Sequence, residues 1–579
     1  MVKKTAKTSF NTRSRLLTVF LLLFFLGLTY KLFYFQVLHG LEAREQASAQ
    51  HSIYQKLLPS RGEILLSDKS TLETVPVATN LKSYLVYAVP HDVINAQLTA
   101  SSLASVLGLD EIELLQKIQN LDKKYVPLKK KLTEEEQRKI KELKLSGIFF
   151  DSEDTRYYPE NNLLSQTLGF VGYKVDTKHG LYGLERKFDD ELAGKTGELQ
   201  AEKDIGGALI FGAKKKEKLA EDGVNLILTI DKTIQFQAES IIKEAVITNE
   251  ADGGSVIVAN PKTGAILAIA NYPDFNLNEY NKVEDPRYFT NLAVTGNYEP
   301  GSVFKAITMA AAINEGKITA DTTYTDAGFL EIDGYKIKNS DGKAHGIQTM
   351  EQALDESLNT GAIWAKDQIG NAKFYEYLRN FGFGAYTGIE LPETRGNLEG
   401  LKANIQVDYA TASFGQGITV TPMQLVQAYI GLANEGKMMK PFIVQSKIYD
   451  TGKIEIRKPE VVKEVITPRT ANIISAMLVS VVENGHGKKA GVPGYYMAGK
   501  TGTAQVPRKD GKGYEADNNI GSFIGYGPVE EPQFVILMRV DHPRNTAYAE
   551  TTAAPAWGKL AQFILNYLNI APTRQFNSK

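Results

Sequence analysis

A serine and a lysine three positions apart form the first chemically informative pair in this sequence. Ser302 and Lys305 follow the chain break at Pro300-Gly301 and begin an Ala-rich apolar stretch that ends at Gly316. Residues three apart share one face of a helix, so the two side chains can meet. A buried lysine with a lowered pKa can take the serine proton and turn the hydroxyl into a nucleophile. A serine that only caps the helix, beside a surface lysine, would show the same spacing.

Two further polar motifs follow this pair along the chain. Ser357 and Asn359 lie in the stretch DESLNTGAIW, where a hydroxyl and an amide can relay a proton and hold a substrate amide. The same spacing is also an ordinary turn signature. The third motif of the chain is the sequence KTGT, which comprises Lys500, Thr501, Gly502 and Thr503. On a strand it would place a cation and hydroxyls beside a substrate carboxylate, and its glycine would let the backbone approach closely. Each pattern is weak alone, whereas the three in this order form a specific set.

The tripeptide Lys-Thr-Gly occurs three times, so its meaning depends on its neighbours. The copy at Lys195 lies among N-terminal segments, and the copy at Lys262 lies in a Pro-x-x-Gly sequence typical of a hairpin turn. The third copy also completes the phosphate-loop pattern G-x-x-x-x-G-K-T from Gly494 to Thr501. Such a loop needs a helix directly after it, whereas glycines and Pro507 follow Thr501. The sequence therefore disfavours a nucleotide-binding loop.

The composition argues against several other classes of protein. The 579 residues include no cysteine, which excludes thiol nucleophiles, disulfides and cysteine-zinc sites. The seven histidines show no pairing, and neither G-x-S-x-G nor H-E-x-x-H occurs, which disfavours charge-relay hydrolases and metallopeptidases. The net charge of −1 gives no indication of a nucleic-acid partner, and we expect none.

The N-terminus is predicted to anchor the chain in a membrane. Basic residues within 1–15 precede an apolar run, and residues 16–38 are long enough to cross a bilayer if Lys31 snorkels to its surface. The basic flank predicts that residues 1–15 form a cytoplasmic tail and that the rest lies outside. A cleaved signal peptide is the alternative, with a small-residue site at Ala47-Ser48-Ala49. That site lies well beyond the apolar run, so we expect an uncleaved anchor.

The remaining chain is predicted to form two domains of mixed α and β structure. Residues 40–220 alternate short strand-like and helical segments, including one run of helical spacing from Ser102 to Leu121. A charged stretch from Ala213 to Gly223 marks the boundary. Residues 224–569 read as alternating strands and helices, and residues 570–579 as a tail. The predicted class is therefore a multidomain α+β protein.

These motifs resemble those of class B penicillin-binding proteins, the serine D,D-transpeptidases that cross-link peptidoglycan. Beyond the three motifs, the resemblance extends to the stretches TASFGQGITVTPMQLVQAYIGLANEG, AGKTGTAQ, SFIGYGP and AAPAWGKL. In the first domain it extends to Arg61-Gly62, RYYPENNLLSQTLGFVG and GLYGLERKFDDELAGKTG. The resemblance implies an elongated pedestal, or dimerisation-type domain, followed by a transpeptidase domain with an antiparallel sheet flanked by helices, as in serine β-lactamases.

The resemblance also implies a role for each motif residue. Ser302 would be acylated, with Lys305 as its general base. Ser357 and Asn359 would assist proton transfer and hold the donor peptide. The backbone N–H groups of Ser302 and Thr503 would form the oxyanion hole. The carboxylate of terminal D-alanine, or of a β-lactam, would be bound by Lys500, Thr501, Gly502 and Thr503. The implied reaction is a ping-pong acyl transfer between D-Ala-D-Ala stem peptides that needs no metal or organic cofactor.

The family further implies a location and partners. The catalytic domain would lie on the outer face of the bacterial cytoplasmic (inner) membrane, beside a SEDS-type glycan polymerase and division proteins. The stretches YEPGS and SFGQG favour a septal, division-type member over an elongation-type one. A non-catalytic β-lactam sensor or division scaffold, and a hydrolytic carboxypeptidase or β-lactamase, stay open as alternatives.

Overall fold

The computed structural model describes residues 7–40, 52–68, 73–175, 177–202, 216–508, 513–546 and 548–574. The small-residue site at 47–49 and residues 213–215 of the predicted boundary lie outside these ranges. The chain divides into two compact units. One comprises Met1–Pro59 with Gly194–Asp222, and the other comprises Ser60–Ala193 with Gly223–Lys579.

The helices are numbered in chain order. They are α1 (Lys7–Phe33), α2 (Ala96–Leu107), α3 (Glu111–Ile118), α4 (Glu134–Glu142), α5 (Ser165–Leu168), α6 (Gly183–Lys187), α7 (Asp189–Ala193), α8 (Lys232–Thr248), α9 (Leu292–Thr295), α10 (Lys305–Asn314), α11 (Met350–Asp355), α12 (Asn359–Asn380), α13 (Gln406–Ala412), α14 (Pro422–Ala433), α15 (Pro468–Glu483) and α16 (Ala553–Tyr567).

The strands are numbered in the same way. Those before residue 223 are β1 (Ser52–Leu57), β2 (Ile64–Asp68), β3 (Glu73–Ala88), β4 (Val126–Leu132), β5 (Ile148–Tyr157), β6 (Val171–Lys174), β7 (Thr177–Gly180), β8 (Gly197–Glu202) and β9 (Lys216–Lys218). Those after it are β10 (Asn225–Asp231), β11 (Gly253–Ala259), β12 (Ile266–Tyr272), β13 (Thr323–Asp326), β14 (Phe329–Ile332), β15 (Tyr335–Lys338), β16 (Gly346–Thr349), β17 (Lys437–Met439), β18 (Val444–Ile448), β19 (Ile454–Ile456), β20 (Val461–Glu464), β21 (Ala498–Pro507), β22 (Tyr514–Gly527) and β23 (Phe534–Asp541).

The first unit contains the predicted apolar helix. Helix α1 continues through a π-helical segment, Tyr34–Leu38, so the apolar span Thr12–Leu38 has 27 residues and a mean hydropathy of 2.2. None of that span is buried against protein, and its length suffices to cross a bilayer. Antiparallel strands in the order β1-β8-β9 complete the unit as described.

In the second unit, a seven-stranded sheet combines four strands from the residues predicted as the pedestal, β2 to β5, with three from the residues predicted as the transpeptidase domain, β10, β18 and β19. Its strands run β19-β18-β10-β2-β3-β4, with β5 also pairing with the long strand β3. The helical spacing predicted across 102–121 is confirmed, and the run forms two helices, α2 and α3. Gly108 ends α2 in the left-handed region, at φ 64°, and the Asp110 side chain caps α3 by accepting from the N–H of Glu113.

A five-stranded antiparallel sheet forms the centre of the C-terminal part, in the order β12-β11-β23-β22-β21. Alternate side chains on its strands face opposite sides, and both sides are apolar. One face packs against α8 and α16, through Ile241, Val256 and Trp557 among others. The other face packs against α10, α14 and α15, through Ile257, Ile307 and Leu478 among others. The predicted antiparallel sheet flanked by helices is confirmed.

Candidate active site

The turn that carries Ser302 lies just before α10. The predicted helix start at Ser302 is a short 3-10 turn, Gly301–Phe304, and the α-helix itself begins at Lys305. Gly301 has φ 61°, a left-handed conformation that favours glycine, and its N–H donates to the carbonyl of Gly415 at 3.0 Å. Ser302 is half-buried, and its hydroxyl makes no hydrogen bond within the described ranges. The turn therefore leaves this hydroxyl available to a substrate.

Two fully buried lysines meet at the hydroxyl of Ser357. Lys305 Nζ donates to Ser357 O at 2.5 Å and to Ser357 Oγ at 3.3 Å. Lys500 Nζ donates to the same Oγ at 3.0 Å. Ser357 lies between α11 and α12 with φ 55°, a left-handed conformation that is uncommon for a residue with a side chain. The first, second and third motifs are thus joined through one hydroxyl.

Burial changes the acid–base chemistry of both lysines. It lowers the pKa of Lys305 well below its ordinary value, and the nearby charge of Lys500 lowers that pKa further. Burial also lowers the pKa of Lys500, to about 7, although the negative charge of Asp355 opposes this change. A desolvated amine that is neutral near pH 7 can accept a proton, so this cluster can activate a hydroxyl.

Strand β21 brings the KTGT motif against the Ser302 turn. It lies at the edge of its sheet and pairs with β22, with Thr503 opposite Gly521. A Cβ at position 502 would lie 2.9 Å from the carbonyl oxygen of Pro300 and from a methyl of Val303, so glycine is required there. A Cβ at position 301 would lie 3.3 Å from the carbonyl oxygen of Thr503. The backbones of the turn and of the strand are therefore neighbours.

The remaining motif groups have other partners. The hydroxyl of Thr503 accepts from the N–H of Ala549 at 3.1 Å. The hydroxyl of Thr501 lies 3.4 Å from Lys500 Nζ. Asn359 is the first residue of α12, and its amide donates to the carbonyl of Lys338 on β15 at 2.8 Å. That amide makes no hydrogen bond to either lysine within the described ranges.

The other two Lys-Thr-Gly copies have structural roles. Lys195 forms an exposed ion pair with Glu221. Lys262 lies in the turn between β11 and β12, where the side chain of Asn260 accepts from the N–H of Lys262 and of Thr263, as a hairpin turn predicts. The third copy lies within β21, which continues as a strand to Pro507 where a nucleotide-binding loop would need a helix, so the nucleotide-loop alternative is excluded.

Two buried carboxyl groups near the site were not singled out from the sequence. Asp355 lies two residues before Ser357, and burial raises its pKa to about 6. Glu299 lies three residues before Ser302 and accepts from the N–H of Gly417 at 3.1 Å. Burial raises the pKa of Glu299 as well. Their places beside motif serines were the only signal that the sequence held.

Two domain families match the chain. The penicillin-binding protein transpeptidase domain matches residues 254–562, and the penicillin-binding protein dimerisation domain matches residues 56–228.

Individual proteins match over most of their length. "Stage V sporulation protein D" of Bacillus subtilis is 35% identical over 97% of this chain and 87% of its own length. "Probable peptidoglycan D,D-transpeptidase PbpC" of Pseudomonas aeruginosa is 31% identical over 97% of this chain and 96% of its own. The crystal structure of penicillin-binding protein 3 from Mycobacterium tuberculosis, complexed with aztreonam, has the same fold. It matches with a TM-score of 0.70 at 24% identity, over 90% of this chain and 99% of that one.

The family match covers more than half of the chain and includes the turn, the lysine cluster and the edge strand described above. The chain belongs to the penicillin-binding protein transpeptidase family and carries that family's dimerisation domain before the transpeptidase domain.

Proposed function

We propose that this chain is a peptidoglycan D,D-transpeptidase that acts through an acyl-enzyme on Ser302 and takes part in septal wall synthesis. The observation that carries the assignment is the cluster in which buried Lys305 and Lys500 share the hydroxyl of Ser357 beside the Ser302 turn. Relatives named as peptidoglycan D,D-transpeptidases support the substrate class. The stretches YEPGS and SFGQG support the septal subtype.

In the proposed acylation, Lys305 accepts the proton of Ser302 as its oxygen attacks the carbonyl carbon of the penultimate D-alanine. The backbone N–H groups of Ser302 and Thr503 donate to the oxyanion, an interaction whose loss costs about 3–4 kcal/mol per donor in other acyl transferases. Ser357 passes the proton to the departing amine of terminal D-alanine as the peptide bond breaks. An amine of a neighbouring stem peptide then attacks the ester, and Ser302 regains its proton.

Substrate recognition in this proposal depends on the edge strand. Lys500, Thr501 and Thr503 would bind the terminal carboxylate of the stem peptide, with Gly502 permitting the close approach. Asn359 would hold the donor peptide once a substrate amide replaces the carbonyl of Lys338 as its partner. A β-lactam carries an acidic group in an equivalent place, and the structural relative complexed with aztreonam supports β-lactam binding by this fold.

The decisive experiment labels the full-length protein with a fluorescent penicillin. Ser302→Ala abolishes covalent labelling because the ester cannot form, whereas Lys195→Ala and Lys262→Ala leave labelling unchanged, since both lysines lie in structural Lys-Thr-Gly copies. Gel fluorescence after denaturation is the measurement. Undiminished labelling of Ser302→Ala would refute the mechanism.

Transpeptidation is separated from hydrolysis by mass spectrometry of wall precursors incubated with the protein. A transpeptidase yields cross-linked dimers that contain a new amide bond. A carboxypeptidase yields stem peptides shortened by one D-alanine. Trimmed product without dimers would contradict the proposed acceptor.

We propose further that the apolar helix is a single-pass anchor with its N-terminus in the cytoplasm, and that anchor and pedestal contact a SEDS-type glycan polymerase. Because the chain has no cysteine, single introduced cysteines report topology cleanly. A membrane-impermeant maleimide should label Asn120→Cys in intact cells, and Thr8→Cys only after lysis. The reverse pattern would overturn the orientation. A fluorescent fusion concentrated at mid-cell supports the septal role, and an even lateral distribution contradicts it.

A further inference from the structure

The two buried lysines present an electrostatic problem that the three motifs do not solve. Lys305 and Lys500 are both 0% exposed, and within the described ranges neither forms an ion pair. Their Nζ atoms donate to the same oxygen, Ser357 Oγ. Two positive charges repel each other in a buried site. The cluster therefore favours a state in which one lysine is protonated and charged and the other is a neutral amine. The proposed chemistry needs that proton on Lys500, which binds a carboxylate, and not on Lys305, which acts as the base.

A buried carboxylate lies at the place where it can distinguish the two amines. Asp355 is the last residue of α11, two residues before Ser357, and is 8% exposed. Its Oδ2 accepts from the hydroxyl of Ser480 on α15 at 2.8 Å. Its Oδ1 is buried and has no hydrogen-bond partner within the described ranges. A buried carboxylate oxygen without a hydrogen-bond partner destabilises the fold, and a nearby positive charge would offset that cost.

The attraction of Asp355 acts on one lysine. It raises the pKa of Lys500 against the effect of burial. The pKa of Lys305, by contrast, is lowered by burial and by the charge of Lys500, with no carboxylate opposing them. The carboxylate thus separates the pKa values of two amines that are both buried and that donate to the same hydroxyl.

Other charged groups around Asp355 determine when it is ionised. Glu351 and Glu356 raise its pKa, in addition to burial, so that it lies at about 6. The N–H of His486 donates to the Asp355 carbonyl at 3.4 Å, and the His486 ring lies 3.9 Å from Glu356. At neutral pH Asp355 is therefore mostly ionised, and below about pH 6 it is mostly neutral.

We propose that Asp355 is a positioning residue that gives the two lysines separate roles, because its charge keeps their shared proton on Lys500 and leaves Lys305 free to act as the base. This inference rests on the proposed function of Ser302, Lys305 and Lys500. In the acylation step Lys305 takes the Ser302 proton while Lys500 keeps its own. The carboxylate of Asp355 then offsets the second positive charge that forms in the cluster.

The test is Asp355→Asn in the full-length protein, because the asparagine oxygen can still accept from Ser480 while the charge is lost. The measurement is the second-order rate constant for acylation by a chromogenic cephalosporin between pH 5 and 9. Without the carboxylate, Lys500 loses its proton at lower pH. We expect the alkaline limb of the profile to move down by about one pH unit, which lowers the rate constant about tenfold at pH 8. Near pH 5 the two proteins should differ by about twofold or less, since the wild-type carboxyl is then protonated as well.

Two matched variants separate charge from structure. Ser480→Ala removes the hydrogen bond to Oδ2 but leaves the charge, and Glu356→Gln removes an exposed neighbouring carboxylate. Both variants change the pKa of Asp355 but leave its carboxyl ionised at pH 8 and above. Both should therefore keep the alkaline limb of the wild-type profile in place, even if Ser480→Ala unfolds at a lower temperature. A purely structural role for Asp355 would instead lower the rate equally at every pH, and that result would overturn the proposal.

The outcomes also separate this inference from the proposed function. If Ser302→Ala is not labelled but Asp355→Asn keeps the wild-type pH profile, the role of Asp355 is refuted and the proposed function stands. Labelling that survives in Ser302→Ala refutes the function itself. If Asp355→Asn does not fold, Asp355→Ser replaces it, since a serine hydroxyl can also accept from Ser480. The same downward movement of the alkaline limb is expected of that variant.

Discussion

At the scale of single residues, burial of the two lysines at the candidate site lowers the stability of the folded protein. An amine in water has an ordinary pKa near 10.5, whereas burial lowers that of Lys500 to about 7. Between these values the unfolded chain holds a proton that the folded protein has released. The free energy of unfolding therefore rises with pH across this window, by about 1.4 kcal/mol per pH unit for one such group. The penalty for burying Lys500 is largest at pH 7 and below.

We accordingly predict that Lys500→Met stabilises the folded protein while it weakens penicillin binding. The gain should be about 1–3 kcal/mol at or below pH 7, because a buried polar amine is replaced by an apolar side chain of similar length. It should shrink as pH approaches 10. Urea denaturation at pH 6, 8 and 9.5 measures it, with the exposed Lys117→Met as control. A gain in the free energy of unfolding that grows with pH would contradict the lowered pKa of Lys500 in the folded protein.

Gly502 lies too close to Pro300 and Val303 for a residue with a side chain. Gly502→Ala should lower the acylation rate constant about ten- to a hundredfold, because the new methyl displaces the Ser302 turn from β21. The control is Gly400→Ala, where a Cβ would have only the carbonyl oxygen of Gly417 at 4.0 Å. Stopped-flow kinetics with the cephalosporin compares the two. Equal rates in both variants would mean that the close contact at Gly502 is dispensable.

At the scale of elements, Glu299 joins three segments around the Ser302 turn. One carboxylate oxygen accepts from the N–H of Gly417, in the loop before α14, at 3.1 Å. The other accepts from the hydroxyl of Tyr514, the first residue of β22, at 3.0 Å. The turn is fixed independently at Val303, whose carbonyl accepts from Tyr429 of α14 at 2.6 Å. The position of Ser302 thus depends on hydrogen bonds between elements that are distant in sequence.

This arrangement predicts coupling between Glu299 and Tyr514. Glu299→Ala should slow acylation about tenfold or more because it removes the acceptor that links the Ser302 turn to Gly417 and to Tyr514, and Tyr514→Phe should have a smaller effect. The double variant should be no slower than Glu299→Ala, since the hydroxyl has then lost its partner already. The measurement is a double-mutant cycle on the acylation rate constant, with the exposed Tyr335→Phe as control. Additive effects would show that the two side chains act independently.

At the scale of the whole molecule, a buried ion cluster connects the segments of the second unit before residue 193. Glu185 is fully buried, with Arg61 Nε 2.7 Å from its Oε2 and Arg156 Nε 2.6 Å from its Oε1. Arg61 also pairs with Asp189 at 2.8 Å. These groups come from the chain before β2, from β5 and from α6 and α7. One carboxylate therefore bridges two arginines that lie 95 positions apart in sequence.

Removal of that carboxylate should weaken the fold more than any surface charge. Glu185→Leu is expected to lower the free energy of unfolding by about 3–5 kcal/mol, because Arg156 and Arg61 both lose a buried carboxylate, although Arg61 keeps its pair with Asp189. Glu113→Leu, which breaks an exposed pair with Lys117, should change it by less than about 1 kcal/mol. Urea denaturation of the full-length chain in detergent compares them. Similar losses in both variants would contradict a central role for the cluster.

Much of the fold and of the candidate site was predictable because the chemistry restricts residue type and order. The hairpin around Asn260, the strand that carries Lys500 and the apolar helix at the N-terminus follow from local patterns, and the structure has all three. The break at Gly108 was also encoded locally, by a glycine and a capping aspartate, but the continuing apolar spacing obscured it. The residue limits of the two domains and the roles of the motif residues stay predictions.

By itself, the sequence determined the family and the candidate nucleophile, since serine, lysine and hydroxyl motifs in that order leave few other chemistries. Only the tertiary structure decided which amine neighbours which carboxylate. Asp355 and Lys500 are separated by 145 positions, and no local spacing shows that the charge of one affects the pKa of the other in the folded chain. The pKa of each group depends on burial and on charges brought together by packing, and both exist only in the folded chain.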